Sequence, residues 1–181
     1  NIRASCYKAN AQMDASVKDY EKAITLKPDY AEAYYNLGVT LRELGQIDAA
    51  LKSYEKALAI KHEYPAAHNN LGNILLDFGS LDSAVDHFEW AVAFKPDYAE
   101  AHNNLGVVER HQEKFDQAIK SFEKAIAIQP NYVQAHSNLG NTLQDIDQLD
   151  AAMTCYENAL AINPDYPEAL KGVQRLLKTS T

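Results

Sequence analysis

The stretch Asn36-Leu37-Gly38 recurs as Asn70-Leu71-Gly72, Asn104-Leu105-Gly106 and Asn138-Leu139-Gly140. Each copy lies 34 residues after the last, and a tyrosine and a glutamate recur at the same spacing. The tyrosines are Tyr30, Tyr64, Tyr98, Tyr132 and Tyr166, and the glutamates are Glu21, Glu55, Glu89, Glu123 and Glu157. A fixed period of this length is the signature of stacked repeats, so the chain is predicted to be an array of equivalent units.

Each unit is predicted to contain two helices. Apolar residues recur at helical spacing from Ala31 to Leu44, and a break follows at Gly45. The equivalent breaks of the later units are expected at Gly79, Glu113 and Asp147. An aspartate then opens the second helix, where it can cap the free N–H groups and favour the positive helix end. These aspartates are Asp14, Asp48, Asp82, Asp116 and Asp150. The second helix is expected to stop near a proline, which cannot continue it. Those prolines are Pro28, Pro96, Pro130 and Pro164, and His62 stands once in their place.

The repeat register divides the chain into one continuous solenoid. We assign residues 1–30 to a partial unit, residues 31–64, 65–98, 99–132 and 133–166 to full units, and residues 167–181 to a capping helix. Gly38 and its equivalents fall in mid-helix, where glycine costs about 1 kcal/mol relative to alanine. Close approach of the second helix is expected to offset that cost, with Ala50, Ala84, Ala118 and Ala152 as the facing small residues.

The pattern resembles the tetratricopeptide repeat over essentially the whole chain. Tyr34-x2-Leu37-Gly38, then Ala50-x3-Tyr54-x2-Ala57 and a closing proline, stand at the places that this family's motif requires. The resemblance implies an all-α, right-handed superhelical solenoid of antiparallel helix pairs, with the first helices lining the concave side. The sequence departs from the motif at Glu109, where Leu41 and its equivalents predict a buried side chain. It departs again where histidine replaces an aromatic residue, at His68, His102 and His136.

The two ends of the array carry different expectations. In the final helix, Leu170, Val173 and Leu177 share one face and polar residues cover the rest, as in a cap that keeps such arrays soluble. At the other end, Cys6 and Tyr7 belong to a shortened first helix whose outer face is open. Self-association through this N-terminal end is therefore one expected property.

Composition and side-chain distribution exclude several functions. Lys plus Arg is 17 against 25 for Asp plus Glu, a net charge of -8 that disfavours nucleic acid and anionic membrane as partners. Two cysteines are too few for a disulfide framework, which is compatible with a cytoplasmic location. No catalytic triad or phosphate loop stands out. Equivalent histidines of stacked units lie on the order of 10 Å apart, too far to share a metal. We therefore expect no enzyme activity, cofactor or metal.

The best candidates for binding lie on the first helices. The fifth, ninth and twelfth places of each unit lie along one stripe, with the sixth place beside it. The apolar core does not need these residues, and the family resemblance puts them on the concave wall. The sixth place is always asparagine, at Asn36, Asn70, Asn104 and Asn138. The further candidates are Tyr35, Asn69, Asn73, Asn103, Asn141, Arg42 and Arg110.

An asparagine amide offers both a donor and an acceptor, so a row of them can pair with the main chain of an extended peptide. The row is similar to the asparagine ladder of the O-linked N-acetylglucosamine transferase superhelix, which implies the same use here. The alternative interpretation is that asparagine at this place supports helix packing.

Some tetratricopeptide repeats bind the acidic C-termini of heat-shock chaperones with a clamp of Lys, Asn and Arg residues. This chain lacks the Lys and Arg residues at the corresponding places. A neutral to mildly basic segment therefore suits the groove, although Arg42 and Arg110 could each hold one carboxylate.

The sequence thus predicts a non-enzymatic module that binds an extended protein segment on its concave face. Two alternatives stay open. The chain could be the substrate-recognition arm of a larger enzyme such as a glycosyltransferase, or a structural scaffold that self-associates.

Overall fold

The computed structural model describes the backbone of residues 2–179 and the side chains of residues 12–178. That range holds ten α-helices and no strand. The helices are α1 (Ile2–Leu26), α2 (Ala31–Glu43), α3 (Ile47–Ile60), α4 (Pro65–Asp77), α5 (Leu81–Phe94), α6 (Ala99–His111), α7 (Phe115–Ile128), α8 (Val133–Asp145), α9 (Leu149–Ile162) and α10 (Pro167–Thr179).

The helices pack in chain order as an all-α solenoid. The largest contacts join the two helices of a pair, α2 with α3, α4 with α5, α6 with α7 and α8 with α9. Smaller contacts join α4 to α6, α6 to α8 and α8 to α10, and the second helices make no comparable contacts among the described residues. Because elements that approach each other lie on the inner side of a curved stack, the first helices form the concave face, as the sequence predicts.

The turn inside each pair depends on one residue in the left-handed region. Its φ is 75° at Gly45, 73° at Gly79, 59° at Glu113 and 58° at Asp147, so the predicted breaks are confirmed. Glycine adopts this conformation at no steric cost, whereas Glu113 and Asp147 adopt it against a preference of about 1–2 kcal/mol.

The capping role expected for the aspartates is wrong. Asp48 is the second residue of α3, and the residue that precedes the helix, Gln46, makes no side-chain capping bond. The helices α5, α7 and α9 begin in the same way, after Ser80, Lys114 and Gln148. A side chain inside the first turn points back along the helix and can favour its positive end through charge, without capping it.

Each second helix of the four pairs ends two residues before the proline place. Thus α5 ends at Phe94, before Pro96, and α3 ends at Ile60, before His62. The helix end therefore does not require proline itself.

Mid-helix glycines pack against aromatic rings rather than against alanines, which corrects the expected pairing. A Cβ on Gly106 would lie 2.7 Å from Cε1 of Phe122, and one on Gly38 would lie 2.7 Å from Cε1 of Tyr54. Both rings are fully buried. The glycine therefore makes room for the aromatic residue of the partner helix, while Ala50 and its equivalents fill the core beside it.

The two end helices also differ from expectation. α1 runs unbroken from Ile2 to Leu26, so Asp14 lies inside a helix and opens none. The side chains of Cys6 and Tyr7 fall outside the described residues. In α10 the buried residues are Ala169, Gly172 and Leu176, whereas Leu170 and Leu177 are 40% and 58% exposed. The predicted apolar stripe thus faces solvent over much of its length.

Within the described part of the chain, no helix is long and apolar enough to cross a membrane.

Candidate functional site

The asparagines at the sixth place bond backwards to the preceding unit. Nδ2 of Asn104 donates to Oδ1 of Asn69 at 3.0 Å, and Nδ2 of Asn138 donates to Oδ1 of Asn103 at 3.0 Å. Asn70 makes a longer contact of the same kind, 3.4 Å to the hydroxyl of Tyr35. We call these three contacts the asparagine ladder. It joins successive first helices at the floor of the concave face.

Two residues at the fifth place, Asn69 and Asn103, lie beneath that floor, which corrects their expected exposure. Asn69 is fully buried and Asn103 is 5% exposed. Asn69 also donates from Nδ2 to Oε1 of Glu100 at 2.9 Å, so both ends of its amide are occupied. Asn103 donates to Oδ1 of Asn104 at 3.4 Å. These amides make the bonds that buried polar groups require, and little of either reaches a solvent-filled groove.

The ladder stops at the last helix. Gly172 of α10 holds the sixth place, 34 residues after Asn138, and has no amide to donate. The hydroxyl of Ser137, at the fifth place of α8, is buried and has no hydrogen-bond partner. A Cβ on Gly172 would lie 2.4 Å from Cζ of Tyr156, so a side chain there would collide with the ring.

Two pockets open on the concave face, at equivalent places three units apart. The N-terminal pocket has a volume of about 370 Å³ and the C-terminal pocket about 390 Å³. Tyr35, Val39, Arg42, Glu43, Tyr54 and Asn70 line the N-terminal pocket. Arg110, Asn141, Gln144, Asp145 and Arg175 line the C-terminal pocket. Five of the predicted binding residues therefore line open space: Tyr35, Arg42, Asn70, Arg110 and Asn141.

The C-terminal pocket holds two guanidinium groups and one carboxylate. Nε of Arg110 lies 2.6 Å from Oδ2 of Asp145, a half-exposed ion pair. Arg175 donates from Nη2 to Oδ1 of Asn141 at 2.8 Å and meets no carboxylate among the described residues. The pocket thus keeps one uncompensated positive charge, although the chain as a whole is acidic.

A buried tyrosine fixes the amides of the C-terminal pocket. The hydroxyl of Tyr156 lies 2.9 Å from Oδ1 of Asn141 and 3.0 Å from Oε1 of Gln144. Burial raises the pKa of Tyr156, while its bond to Arg175 acts against that shift. The hydroxyl therefore stays protonated, and the two amide oxygens share its single proton. In the N-terminal pocket, burial raises the pKa of Tyr54 to about 12, and its hydroxyl accepts from Nδ2 of Asn70 at 3.4 Å.

Asn36 and Asn73 complete the predicted set. Both are half-exposed, and neither side chain bonds to the described protein. Their amides remain available on the concave face.

The histidines at the fourth place bond to the loop that precedes their helix. Nε2 of His68, His102 and His136 lies 2.9, 3.0 and 2.8 Å from the carbonyl oxygens of His62, Pro96 and Pro130. A carbonyl only accepts, so each Nε2 carries the proton. Nδ1 of His68 then accepts from Nδ1 of His87 at 2.9 Å. Burial lowers the pKa of His68 to about 4 and also lowers that of His87. No group of three or more metal-ligating side chains converges among the described residues.

Sequence reasoning overlooked Arg175 as a pocket residue. It lies 34 residues after Asn141, so the ninth place of the last helix could have been read by the same rule. The bonds of the Tyr156 hydroxyl had no such signal, because they depend on how far the ring reaches past Gly140.

Known proteins give the same fold. The crystal structure of MamA matches with a TM-score of 0.79 at 25% identity, covering 87% of this chain and 92% of that chain. YrrB, described as a TPR protein with an unusual peptide-binding site, matches at 0.78 and 23% identity, covering 94% and 88%. PilF of Pseudomonas aeruginosa matches at 0.83 and 22% identity, covering 96% and 79%. No curated protein matches the sequence.

Family models cover most of the chain. The model described as TPR repeat matches residues 7–41, 40–79 and 72–109. The model described as Tetratricopeptide repeat matches residues 99–132 and 133–166. Together with the ten helices and the glycine–aromatic packing, these matches show that the chain belongs to the tetratricopeptide repeat family.

Proposed function

We propose that the concave face binds an extended segment of a partner protein, in a module without catalytic activity of its own. The observation that carries the proposal is the pair of open polar pockets at equivalent places of one face. A segment that crosses the intervening first helices would enter both. Tetratricopeptide arrays are generally interaction modules, and YrrB is described as having a peptide-binding site.

In this proposal, the asparagines of the concave face offer hydrogen-bonding groups to the bound segment. Asn104 and Asn138 each use one N–H within the protein and keep the other, because an amide nitrogen carries two. Nδ2 of Asn70 instead contacts two hydroxyls at 3.4 Å, those of Tyr35 and Tyr54. Asn70 and Asn138 also keep an acceptor that the described protein does not use. Asn36 and Asn73 offer whole amides to a peptide main chain. Main-chain bonds of this kind give affinity with little sequence demand.

The charges of the two pockets set the preferred segment. Arg42 and Glu43 both line the N-terminal pocket, which therefore carries one charge of each sign, and in the C-terminal pocket Asp145 neutralises Arg110. Arg175 remains as the one guanidinium in excess of the carboxylates that line these pockets. We therefore propose a neutral to mildly basic segment that places at most one carboxylate opposite Arg175.

A peptide-display selection against the wild-type chain tests the proposal. Selected peptides are then measured against Asn73→Ala/Arg175→Gln, a pair chosen because neither side chain belongs to the ladder. We expect at least tenfold weaker binding with an unchanged melting temperature. The matched control is Lys52→Ala/Lys120→Ala on the outer faces of α3 and α7, which should bind as the wild type does. Failure to select any peptide, or equal binding by the first pair, would overturn the proposal.

A further inference from the structure

The outer face of α5 differs from that of its neighbours. α3 and α7 carry lysines at two matching places, Lys52 and Lys56 in α3 and their equivalents Lys120 and Lys124 in α7. α5 has Asp86 and Trp90 at these places, while the glutamate between them is kept as Glu89. One unit has thus replaced two cations by a carboxylate and an indole.

These side chains surround a pocket on the face of α5 that points away from the core. Asp86, Glu89, Trp90 and Ala93 line it, and its volume is about 320 Å³. The core-facing residues of the same helix are Ala84, Phe88 and Ala91. Trp90 is 45% exposed, which is unusual for the largest side chain of a small domain.

Neighbouring rings hold the indole in place. Phe94 stacks on Trp90 with centroids 5.4 Å apart and planes 18° apart, and His62 meets it edge-on at 4.9 Å. His62 itself stands where the other loops have proline, so both the loop and the helix beside this pocket differ from those of the other units. An indole fixed in this way loses little conformational freedom when a ligand binds.

The chemistry of the pocket suits a cation. Neither Asp86 nor Glu89 pairs with a lysine or arginine of the described protein. An indole face attracts an ammonium or guanidinium group, and a carboxylate adds charge-assisted hydrogen bonds to it. Two carboxylates without a third ligand do not meet the coordination of a divalent metal. The net charge of -8 also draws basic partners towards the chain.

We propose that this pocket binds an arginine or lysine side chain of a basic segment on a partner protein. The cation lies against the exposed part of Trp90, between Asp86 and Glu89. The site is on the face opposite the concave groove, so it allows a second partner to bind at the same time and does not depend on the groove.

Trp90 is the only tryptophan of the chain, so tryptophan fluorescence, excited at a wavelength where the 11 tyrosines do not absorb, reports on this pocket alone. The probe is an acetylated and amidated peptide with two arginines in an alanine and glycine background. The control peptide has citrulline in place of arginine, which keeps the shape and removes the charge. We expect a saturable fluorescence change with the arginine peptide, and at least a tenfold weaker one with the citrulline peptide.

The equivalent positions of α3 and α7 suggest matched variants. Asp86→Lys installs the residue that α3 and α7 carry at this place, so it should fold, and we expect at least a tenfold loss of affinity. Glu123→Gln, on the outer face of α7, should bind as the wild type does. Asn73→Ala/Arg175→Gln should also bind normally, which separates this site from the groove.

Three results would overturn the proposal. Equal binding of the two peptides would show that charge is not recognised. Unchanged affinity of Asp86→Lys would place the peptide elsewhere. A mass that rises with concentration and falls back in Asp86→Lys would assign the pocket to a second copy of this chain.

Discussion

Asn104 donates to Asn69 across the gap between α6 and α4, from Nδ2 to Oδ1 at 3.0 Å. Asn138 and Asn103 repeat the contact one unit later at the same distance. These bonds account for asparagine at the sixth place without a ligand, since they satisfy a buried amide of the preceding unit. Helix packing, one of two interpretations that the sequence left open, therefore has a definite atomic basis. Peptide binding by the remaining N–H groups stays a proposal.

Asn104→Ala should lower the free energy of unfolding by about 1–3 kcal/mol, because it leaves the buried Oδ1 of Asn69 without a donor. Urea denaturation measures this change. Asn73→Ala is the matched control, since that amide has no partner in the described protein, and it should change stability by less than about 0.5 kcal/mol. Equal effects of the two substitutions would contradict a structural role for the ladder.

The stability of the chain should fall as pH drops from about 6.5 to about 4 because of His68. Its pKa is about 4 in the folded chain against the ordinary histidine value of 6.5, so the unfolded state takes up the proton first. Protonation of His68 lowers the free energy of unfolding by at most about 3 kcal/mol. His68→Tyr, the residue that Tyr34 supplies at the same place, should flatten this part of the pH profile. Denaturation curves at several pH values test the difference, and an identical slope in the variant would refute it.

Glu109→Leu should stabilise the chain at neutral pH by about 1 kcal/mol. Glu109 is 9% exposed where other units have leucine, and burial raises its pKa. Because the pKa of Glu109 is higher in the folded state than in the unfolded state, its contribution to the free energy of unfolding is complete below the unfolded-state pKa. That contribution is lost as pH rises through the folded-state pKa. The gain from leucine should therefore grow as pH rises above about 4.5.

The same substitution removes the acceptor of Ser121, whose hydroxyl lies 2.7 Å from Oε2 of Glu109. Ser53, at the equivalent place of α3, bonds instead to the carbonyl of Ala49 at 2.8 Å, so a substitute acceptor exists. Glu109→Gln is the control for charge alone. A leucine variant that is less stable than wild type at every pH would show that the Ser121 bond outweighs the burial of the carboxyl.

Glu113→Gly should raise the free energy of unfolding by about 0.5–1 kcal/mol, because glycine relieves the left-handed conformation at φ 59°. The reverse change, Gly45→Ala, should lower it by about 1 kcal/mol. Nothing lies within 4 Å of a Cβ built on Gly45, so that effect belongs to the backbone alone. Thermal or urea denaturation of both variants tests the pair, and changes of the same sign would contradict it.

The sequence was sufficient for the fold because every unit repeats the same local signals. Helices start at Ala31, Pro65, Ala99 and Val133, the first residues of the predicted full units. The turns at Glu113 and Asp147 were found from register alone, although neither residue favours that conformation. The repeat register requires a helix start at Asp14, which is why the sequence predicts one there. No residue near Asp14 interrupts the helix, so α1 continues through this position.

The candidate site was predicted less completely, because side-chain depth depends on how far one helix sinks against the next. Asn69 and Asn73 lie one turn apart on the same helix, yet only Asn73 reaches solvent. The sequence pattern that groups Asn69 with Asn73 cannot distinguish a side chain buried beneath the groove from one exposed at its surface. The C-terminal pocket likewise needs Tyr156 and Arg175, which belong to different helices and meet only after packing.

The asparagine ladder has a direction, because each donor lies in the later unit and each acceptor in the earlier one. Gly172 breaks the series, so α10 docks on α8 without the bond that links the other first helices and leaves the Ser137 hydroxyl unpaired. In a stacked array, global stability is a sum of interface terms, and the weakest interface opens first. Amide hydrogens of α10 should therefore exchange with solvent ahead of those in α4 and α6.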